Sequence, residues 1–317
     1  MLEFSKMETE IKLNRFAKYA WFVLAYNILV ILWGVFLRAS KSGDGCGQHW
    51  LTCHGEVVPS APEMKTMIEF FHRIMSALDG LIVLILVIWA VQIWRKDKTQ
   101  SAVMKMAIGS FVFVLVEGLI GAGLVLTGNT AGSYSESRPL WAMGHLISTF
   151  ILLIFMSLTA WYASGGKVFS FKVSSKTLLL LTIGVLGILL VGMSGSLAAL
   201  SNMLFPSQSL GEGIAKDFSE TSHFLLRLRI SHPILSIATS VYLFFLSMWI
   251  TKKSEDVWTK KFAGYLALLI LIQVVFGGLT LVMLAPIVMQ VGHLVLADLI
   301  WICFILMWAS FLAEEVK

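Results

Sequence analysis

The strongest constraint on this chain is a series of eight apolar stretches, each long enough to cross a lipid bilayer as a helix. A membrane-spanning helix needs about 20 mostly apolar residues, and its backbone groups must be hydrogen-bonded within the segment. The sequence therefore predicts an all-α integral membrane protein with eight transmembrane helices. The expected spans are 16–38, 67–94, 103–127, 139–163, 177–200, 221–250, 260–284 and 287–313.

The composition excludes a soluble globular protein. Hydrophobic residues make up 57% of the chain and charged residues only 14%, whereas soluble domains carry about a quarter charged residues. The net charge of +5 comes from loop lysines and arginines, so we expect membrane lipid and no nucleic acid as a partner. Residues 1–15 lack the apolar run and cleavage site of a signal peptide, so the first span is expected to stay attached.

Basic residues in the short loops predict the orientation of the chain in the membrane. Positively charged loops remain in the cytoplasm, and the loops after spans 2, 4 and 6 are basic. We therefore expect both termini in the cytoplasm and the loops 39–66 and 201–220 outside. The basic residues are Arg95, Lys96 and Lys98, then Lys167, Lys172 and Lys176, then Lys252, Lys253, Lys260 and Lys261.

Two of the three cysteines, Cys46 and Cys53, lie in the first outer loop. A disulfide persists outside the cytoplasm, and this is the favoured interpretation. The alternative is a metal site that adds His49 and His54 to the two cysteines, which would need reduced thiolates in an oxidising compartment. Cys303 lies in apolar span 8, where packing is the expected role.

Spans 1–4 and 5–8 form a weak internal repeat. Span 3 reads LVEGLIGAGLVL and span 7 reads LIQVVFGGLTLV, so Gly121 corresponds to Gly277. The tripeptide Gly-His-Leu occurs at 144–146 and again at 292–294. Because each half has an even number of spans, we expect two pseudo-symmetric four-helix bundles of the same orientation. The expected divisions are a tail 1–15, a bundle 16–165, a cytoplasmic linker 166–176 and a bundle 177–317.

Each even-numbered span carries one histidine near its outer end. A single membrane histidine is often only a hydrogen-bonding residue, but four in repeat-related positions indicate function. Two facing imidazoles in an apolar bundle suit the axial ligation of haem iron, whereas zinc and copper usually take further ligands. We expect the metal-binding pairs His72 with His145 and His232 with His293.

The charged neighbours differ between the two halves. Arg73 follows His72, and Arg229 precedes His232 by three residues. Either arginine could pair with a haem propionate or extend to the membrane surface. Glu69 stands three residues before His72, on the same helix face, which predicts a reaction in the first half. Further intramembrane acids, either proton carriers or structural groups, are Asp79, Glu117 and Asp298.

Several motifs, taken in order over nearly the whole chain, resemble those of haem A synthases. The resemblance implies that haem O is the substrate and that its C8 methyl is oxidised to a formyl group by successive hydroxylations. The product, haem A, would serve cytochrome oxidase in a bacterial cell (inner) membrane. The motifs are GCGQHWLTCHG at 45–55, EFFHR at 69–73, Gly144-His145, FPSQSLGEG at 205–213, Ser231-His232-Pro233 and Gly292-His293.

The resemblance also implies roles for single residues. It places the substrate haem in the first half and a resident haem b in the second. Partners implied are the haem O synthase (a farnesyltransferase) and an electron carrier, and a homo-oligomer is compatible with it. By residue, it implies substrate haem between His72 and His145, haem b between His232 and His293, Glu69 as the catalytic residue, and a disulfide between Cys46 and Cys53.

The chain departs from that family's pattern at three points. It has no second cysteine pair in the outer loop of the second half, and Pro233 follows His232 where some relatives have arginine. Glu117 occupies a position in span 3 where an uncharged residue is usual. We expect Glu117 to pair with another polar group of the first bundle.

Two other functions are compatible with paired histidines. A dihaem membrane cytochrome b would pass electrons to or from quinone, and a transporter would hold a site near the membrane midplane. The presence of Glu69 in only one half favours the enzyme over the cytochrome. The position of the histidines near one surface disfavours the transporter.

Overall fold

A computed structural model of the chain describes residues 13–130 and 135–315, so residues 1–12 of the predicted tail lie outside the described residues. The described residues are mainly helical and include eight helices or helix pairs long and apolar enough to cross a membrane. Six of the spans are single helices that match the predicted ones within a few residues at each end. The helices are α1 (Arg15–Ala39), α2 (Met64–Lys96), α3 (Ser101–Leu126), α4 (Arg138–Ala163), α5 (Ser175–Leu204), α6 (Leu210–Phe218), α7 (Phe224–Arg229), α8 (Ser231–Lys253), α9 (Val257–Val282) and α10 (Ile287–Glu315).

Side-chain caps explain where several of these helices begin. The first backbone N–H groups of a helix have no partner inside it, and Asn, Ser and Asp side chains accept hydrogen bonds from them. Asn14 accepts from the Ala17 amide at the start of α1. Ser174 does so for α5 and Asp256 for α9.

The sixth span is broken into two helices. The sequence predicts one continuous helix over 221–250 and does not predict this break. Helix α7 ends at Arg229, and α8 begins at Ser231. Pro233 explains the break, because proline has no N–H to donate to the carbonyl four residues earlier and its ring clashes with that carbonyl. The break falls immediately before His232, so this histidine lies in the first turn of α8.

The segment 205–223 between α5 and α7 contains a short helix, α6, whereas the sequence predicts only a loop there. Ser209 accepts from the amide of Glu212, and the Glu212 carboxylate accepts from the amide of Gln208. A Ser-x-x-Glu sequence of this kind is a helix-start signal. A hydrogen bond from Lys216 lowers the pKa of Glu212 below its ordinary value.

The first four spans pack in sequence order, and α4 returns to contact α1. In the second half, α5 contacts α8, α8 contacts α9 and α9 contacts α10. Helices α4 and α10 join the halves, where the Trp301 indole donates to the Phe150 carbonyl and stacks on its ring at 5.1 Å. The division into two pseudo-symmetric bundles stays a prediction.

Candidate functional site

The four intramembrane histidines lie in the even-numbered spans, as the sequence predicts. His72 is in α2, His145 in α4, His232 in α8 and His293 in α10. Each stands within roughly the first three turns of its helix. One odd-numbered span separates each of these helices from the next, so all four cross the membrane in the same direction. Their histidines therefore lie toward the same end of their spans.

The pair in the second half is in direct proximity. The ring centroids of His232 and His293 are 6.2 Å apart. If each Nε2 lies about 2 Å from a metal, as histidine nitrogens do in metal sites, two opposite ring centres fall roughly 6 Å apart. The observed spacing therefore fits two axial ligands of one iron.

The second ring nitrogen of His232, Nδ1, lies close to polar groups of α5. This atom lies 3.2 Å from both the Val191 carbonyl and the Ser194 hydroxyl of α5. Metal-ligating histidines usually donate their second ring N–H to a carbonyl or carboxylate, which fixes the ring and leaves the other nitrogen for the metal. Residues of this chain thus fit a haem iron at Nε2 of His232.

The pair in the first half, His72 and His145, has different neighbouring residues from the pair in the second half. Oε2 of Glu117 in α3 lies 2.6 Å from Nδ1 of His145. Glu117 therefore pairs with a polar group of the first half, as expected, and that group is a candidate iron ligand.

Glycines let the backbone approach three of the four imidazoles. A Cβ added at Gly34 would lie 3.2 Å from Cε1 of His72, and one at Gly195 would lie 2.9 Å from Cε1 of His232. At Gly277 the corresponding distance to His293 is 3.0 Å. Contacts this short displace the ring, so these glycines fix where the imidazoles stand.

Adjacent glycines of α9 provide a matched test of this close approach. We expect Gly277→Ala to lower haem occupancy of the His232–His293 pair about tenfold or more, the range seen when groups that orient a metal ligand are changed. Gly278→Ala is the control, because a Cβ there meets nothing within 4 Å. The measurement is the haem-to-protein ratio of the purified variants. Equal ratios in the two variants would show that the His293 ring tolerates the methyl group.

Glu69 is buried and connects α2 to the first outer loop. Its side chain is 3% exposed. Oε2 accepts from the Cys46 amide at 2.9 Å, and Oε1 accepts from the guanidinium of Arg73 at 2.5 and 3.1 Å. Glu69 lies one helical turn before His72, so the loop between α1 and α2 is attached to α2 one turn from this histidine.

The predicted disulfide between Cys46 and Cys53 is confirmed. The alternative metal site with His49 and His54 is wrong, because both thiols are consumed and His54 contacts the Gly45 carbonyl at 2.8 Å. Among residues 13–130 and 135–315, no group of three or more His, Cys, Asp or Glu residues is arranged to hold a metal ion.

The two arginines that were predicted to bind haem propionates, Arg73 and Arg229, both connect loop segments to the helices. Besides Glu69, Arg73 donates to the carbonyls of His49 and Thr52 at 2.7 and 2.8 Å. For both arginines, contact with haem propionates stays a prediction. The partners of Arg229 are the Asp217 carboxylate at 2.6 and 2.9 Å, the Asn202 amide oxygen at 2.5 Å and the Gly213 carbonyl at 3.0 Å.

Two of the other acids differ in their surroundings. Asp79 is buried and accepts from the Asn27 amide at 2.9 Å, as a structural acid does. Asp298 is 1% exposed, and neither carboxylate oxygen has a hydrogen-bond partner within the described part of the chain. Neither acid contacts the four histidines through a hydrogen bond among those residues.

Sequence reasoning missed Gln273 in α9. Its amide nitrogen lies 3.4 Å from Nε2 of His293 and donates to the His293 carbonyl at 3.1 Å. A signal was present in the repeat, because aligning Gly121 with Gly277 also aligns Glu117 with Gln273. The same polar position of spans 3 and 7 therefore reaches the histidine of the following span.

Comparison with known proteins shows the family of the chain. A family model described as cytochrome oxidase assembly protein, which represents the haem A synthase family, matches residues 17–305. The chain belongs to this family. Its membership confirms the resemblance that the ordered motifs indicate.

Individual relatives cover the chain to different extents. The haem A synthase of Halalkalibacterium halodurans is 37% identical over 140 residues, which is 44% of each protein. That of Exiguobacterium sp. is 37% identical over 113 residues, or 36% of each. A protohaem IX farnesyltransferase of Thermus thermophilus is 39% identical over 304 residues, which is 96% of this chain. The match covers 50% of that relative, so this chain spans about half its length.

Proposed function

We propose that this chain is a haem A synthase that oxidises the C8 methyl of haem O to a formyl group by successive hydroxylations. The observation that carries the proposal is the asymmetry beside two otherwise similar histidine pairs. A buried carboxylate, Glu69, stands one turn before His72, whereas Arg229 stands at that position before His232. Family membership supports a role in haem A biosynthesis.

Residues of the first half would bind the substrate. His72 and His145 would hold the iron of haem O, and Glu69 would act on the methyl group. A positioned carboxylate can take a proton from an attacking water or stabilise positive charge that develops at the methyl carbon. Oε1 of Glu69 accepts two hydrogen bonds from Arg73 and Oε2 accepts one from Cys46, which fixes the carboxylate and leaves a further lone pair on Oε2.

Residues of the second half would hold the resident cofactor. His232 and His293 fit an axial pair by their spacing, and Val191 and Ser194 orient His232. When bound there, haem b supplies a centre for one-electron transfer, which side chains cannot provide. Arg229 holds the segment above this pair through Asp217 and Asn202.

We also propose a location and two kinds of partner. The basic loops support cytoplasmic termini in a bacterial membrane and histidine pairs near the outer face. One relative named for farnesyl transfer to protohaem IX contains a region like this chain within a protein about twice as long. This supports a haem O-forming farnesyltransferase as a neighbour. An electron carrier completes the oxidation.

The function is tested by the haems that the protein carries. Full-length protein is purified from cells that co-express a haem O-forming farnesyltransferase, and the extracted haems are separated by chromatography. We expect haem A and hydroxylated haem O beside haem b. Extracts that contain haem b alone, with both pairs occupied, would contradict the proposal and favour the dihaem cytochrome b.

A further inference from the structure

Glu117 and Gln273 occupy the same position of the internal repeat. Each lies four residues before the aligned glycine, Gly121 in α3 or Gly277 in α9. Each side chain reaches the candidate iron ligand of the following span, at 2.6 Å for Glu117 and 3.4 Å for Gln273. One of these residues carries a carboxylate and the other a neutral amide.

Glu117 lies beside Nδ1 of His145, which leaves Nε2 as the nitrogen that would hold an iron. Nδ1 of His145 has no hydrogen-bond partner in the described part of the chain, and the carboxylate of Glu117 lies 2.6 Å from it as a close charge contact. Oε1 of Glu117 is buried and also lacks a partner there. The carboxylate is therefore not engaged by an arginine, a lysine or a backbone amide among those residues, and His145 is its polar neighbour.

A carboxylate at Nδ1 has two consequences for an imidazole that ligates iron through Nε2. Its negative charge favours the tautomer with the proton on Nδ1, and it would make the ligand more basic. A more basic axial ligand stabilises ferric over ferrous iron and lowers the reduction potential. The neutral amide of Gln273, which contacts the Nε2 side and the carbonyl of His293, has no such effect.

We propose that Glu117 is a positioning residue that acts through His145 and holds the first haem at a lower reduction potential than the second. The proposal rests on the proposed function, since it takes His145 as an iron ligand. Electrons move spontaneously from a lower to a higher potential. The difference between Glu117 and Gln273 would therefore favour electron transfer from the substrate half to the cofactor half during oxidation of the methyl group.

The test is an optical redox titration of the full-length protein and of Glu117→Gln, purified with their haems. The first haem is identified by its loss in His72→Ala. We expect Glu117→Gln to raise the midpoint potential of this haem by at least 59 mV, which is a tenfold change in a one-electron equilibrium. The second haem should keep its potential. Glu117→Asp keeps the charge and should stay closer to the original chain than Glu117→Gln does.

A matched substitution in the other half serves as the control. Gln273→Glu should leave the potential of the first haem unchanged. Unchanged potentials in Glu117→Gln, or equal shifts in Glu117→Gln and Glu117→Asp, would overturn the proposal. Loss of the first haem from both variants with a lower unfolding temperature would show a purely structural role and would overturn it as well.

The titration is independent of the product analysis. If only haem b occupies both pairs, the proposed enzyme activity fails, yet the potential of the haem at His72 and His145 is still measurable. A shift in Glu117→Gln would then support the role of Glu117 without the enzyme. If haem A forms and the potential does not move, the role of Glu117 alone fails.

Discussion

Replacing Glu69 by glutamine should reduce haem A formation at least about 100-fold, the contribution typical of a positioned acid or base, while both haems stay bound. Glutamine has the same shape, and its one carbonyl oxygen can still accept from the Arg73 guanidinium, although the bond from the Cys46 amide to the other oxygen is lost. Arg73 also still donates to the loop carbonyls of His49 and Thr52. The outer loop should therefore remain in place. The lost property is the negative charge and the ability to take a proton.

The measurement is the ratio of haem A and hydroxylated intermediates to haem O in extracts of the purified variant. Glu63→Gln is the matched control, because Glu63 is an exposed carboxylate that precedes α2 and makes no capping hydrogen bond. It should form haem A as the original chain does. Normal product yield in Glu69→Gln would remove Glu69 from the reaction and leave it as the residue that holds the outer loop.

The transmembrane helices were predictable because lipid leaves the chain few alternatives. An apolar segment of this length must satisfy its own backbone hydrogen bonds, and a helix does so. The break at Ile230 and the helix α6 were not predicted, although both have local signals in Pro233 and in Ser209 with Glu212. In both cases the local signal was present but less prominent than the hydropathy pattern.

The candidate site was predictable as a set of residues and not as a set of contacts. Repeat position was enough to select His72, His145, His232 and His293. It could not show that Arg73 would donate to the carbonyls of the outer loop, because those carbonyls come from a loop whose conformation follows no period. The contact between Glu117 and His145 joins two helices. The residue that Glu117 contacts could be identified only once the rotation of each helix about its axis was known.

Differences between the halves, more than the shared histidines, separate an enzyme from a carrier of electrons. The first half places two carboxylates, Glu69 and Glu117, at its histidine pair, whereas the second places Arg229 and Gln273 at the equivalent positions. Glu117 lies against His145, and Glu69, which is paired with Arg73, stands one turn before His72. This is the half in which oxidation of a bound substrate is expected.

The second large effect is expected for His232→Ala, which should lose the haem of the second half and keep that of the first. An axial imidazole is a direct ligand, so its removal should cost more than the 10–100-fold typical of groups that only orient a ligand. The haem content per chain, measured after extraction, should fall by about half.

His223→Ala is the control for His232→Ala, because His223 belongs to the same outer segment but serves another purpose. Its ring accepts from the Leu225 amide at the start of α7 and contacts the ring of Phe205 at 5.0 Å. Losing this cap costs stability of about 1 kcal/mol without removing an iron ligand. Full haem content in His223→Ala with half content in His232→Ala would support the pairing. Full content in both would refute it, because the 6.2 Å spacing of His232 and His293 would then be a contact between two packed rings.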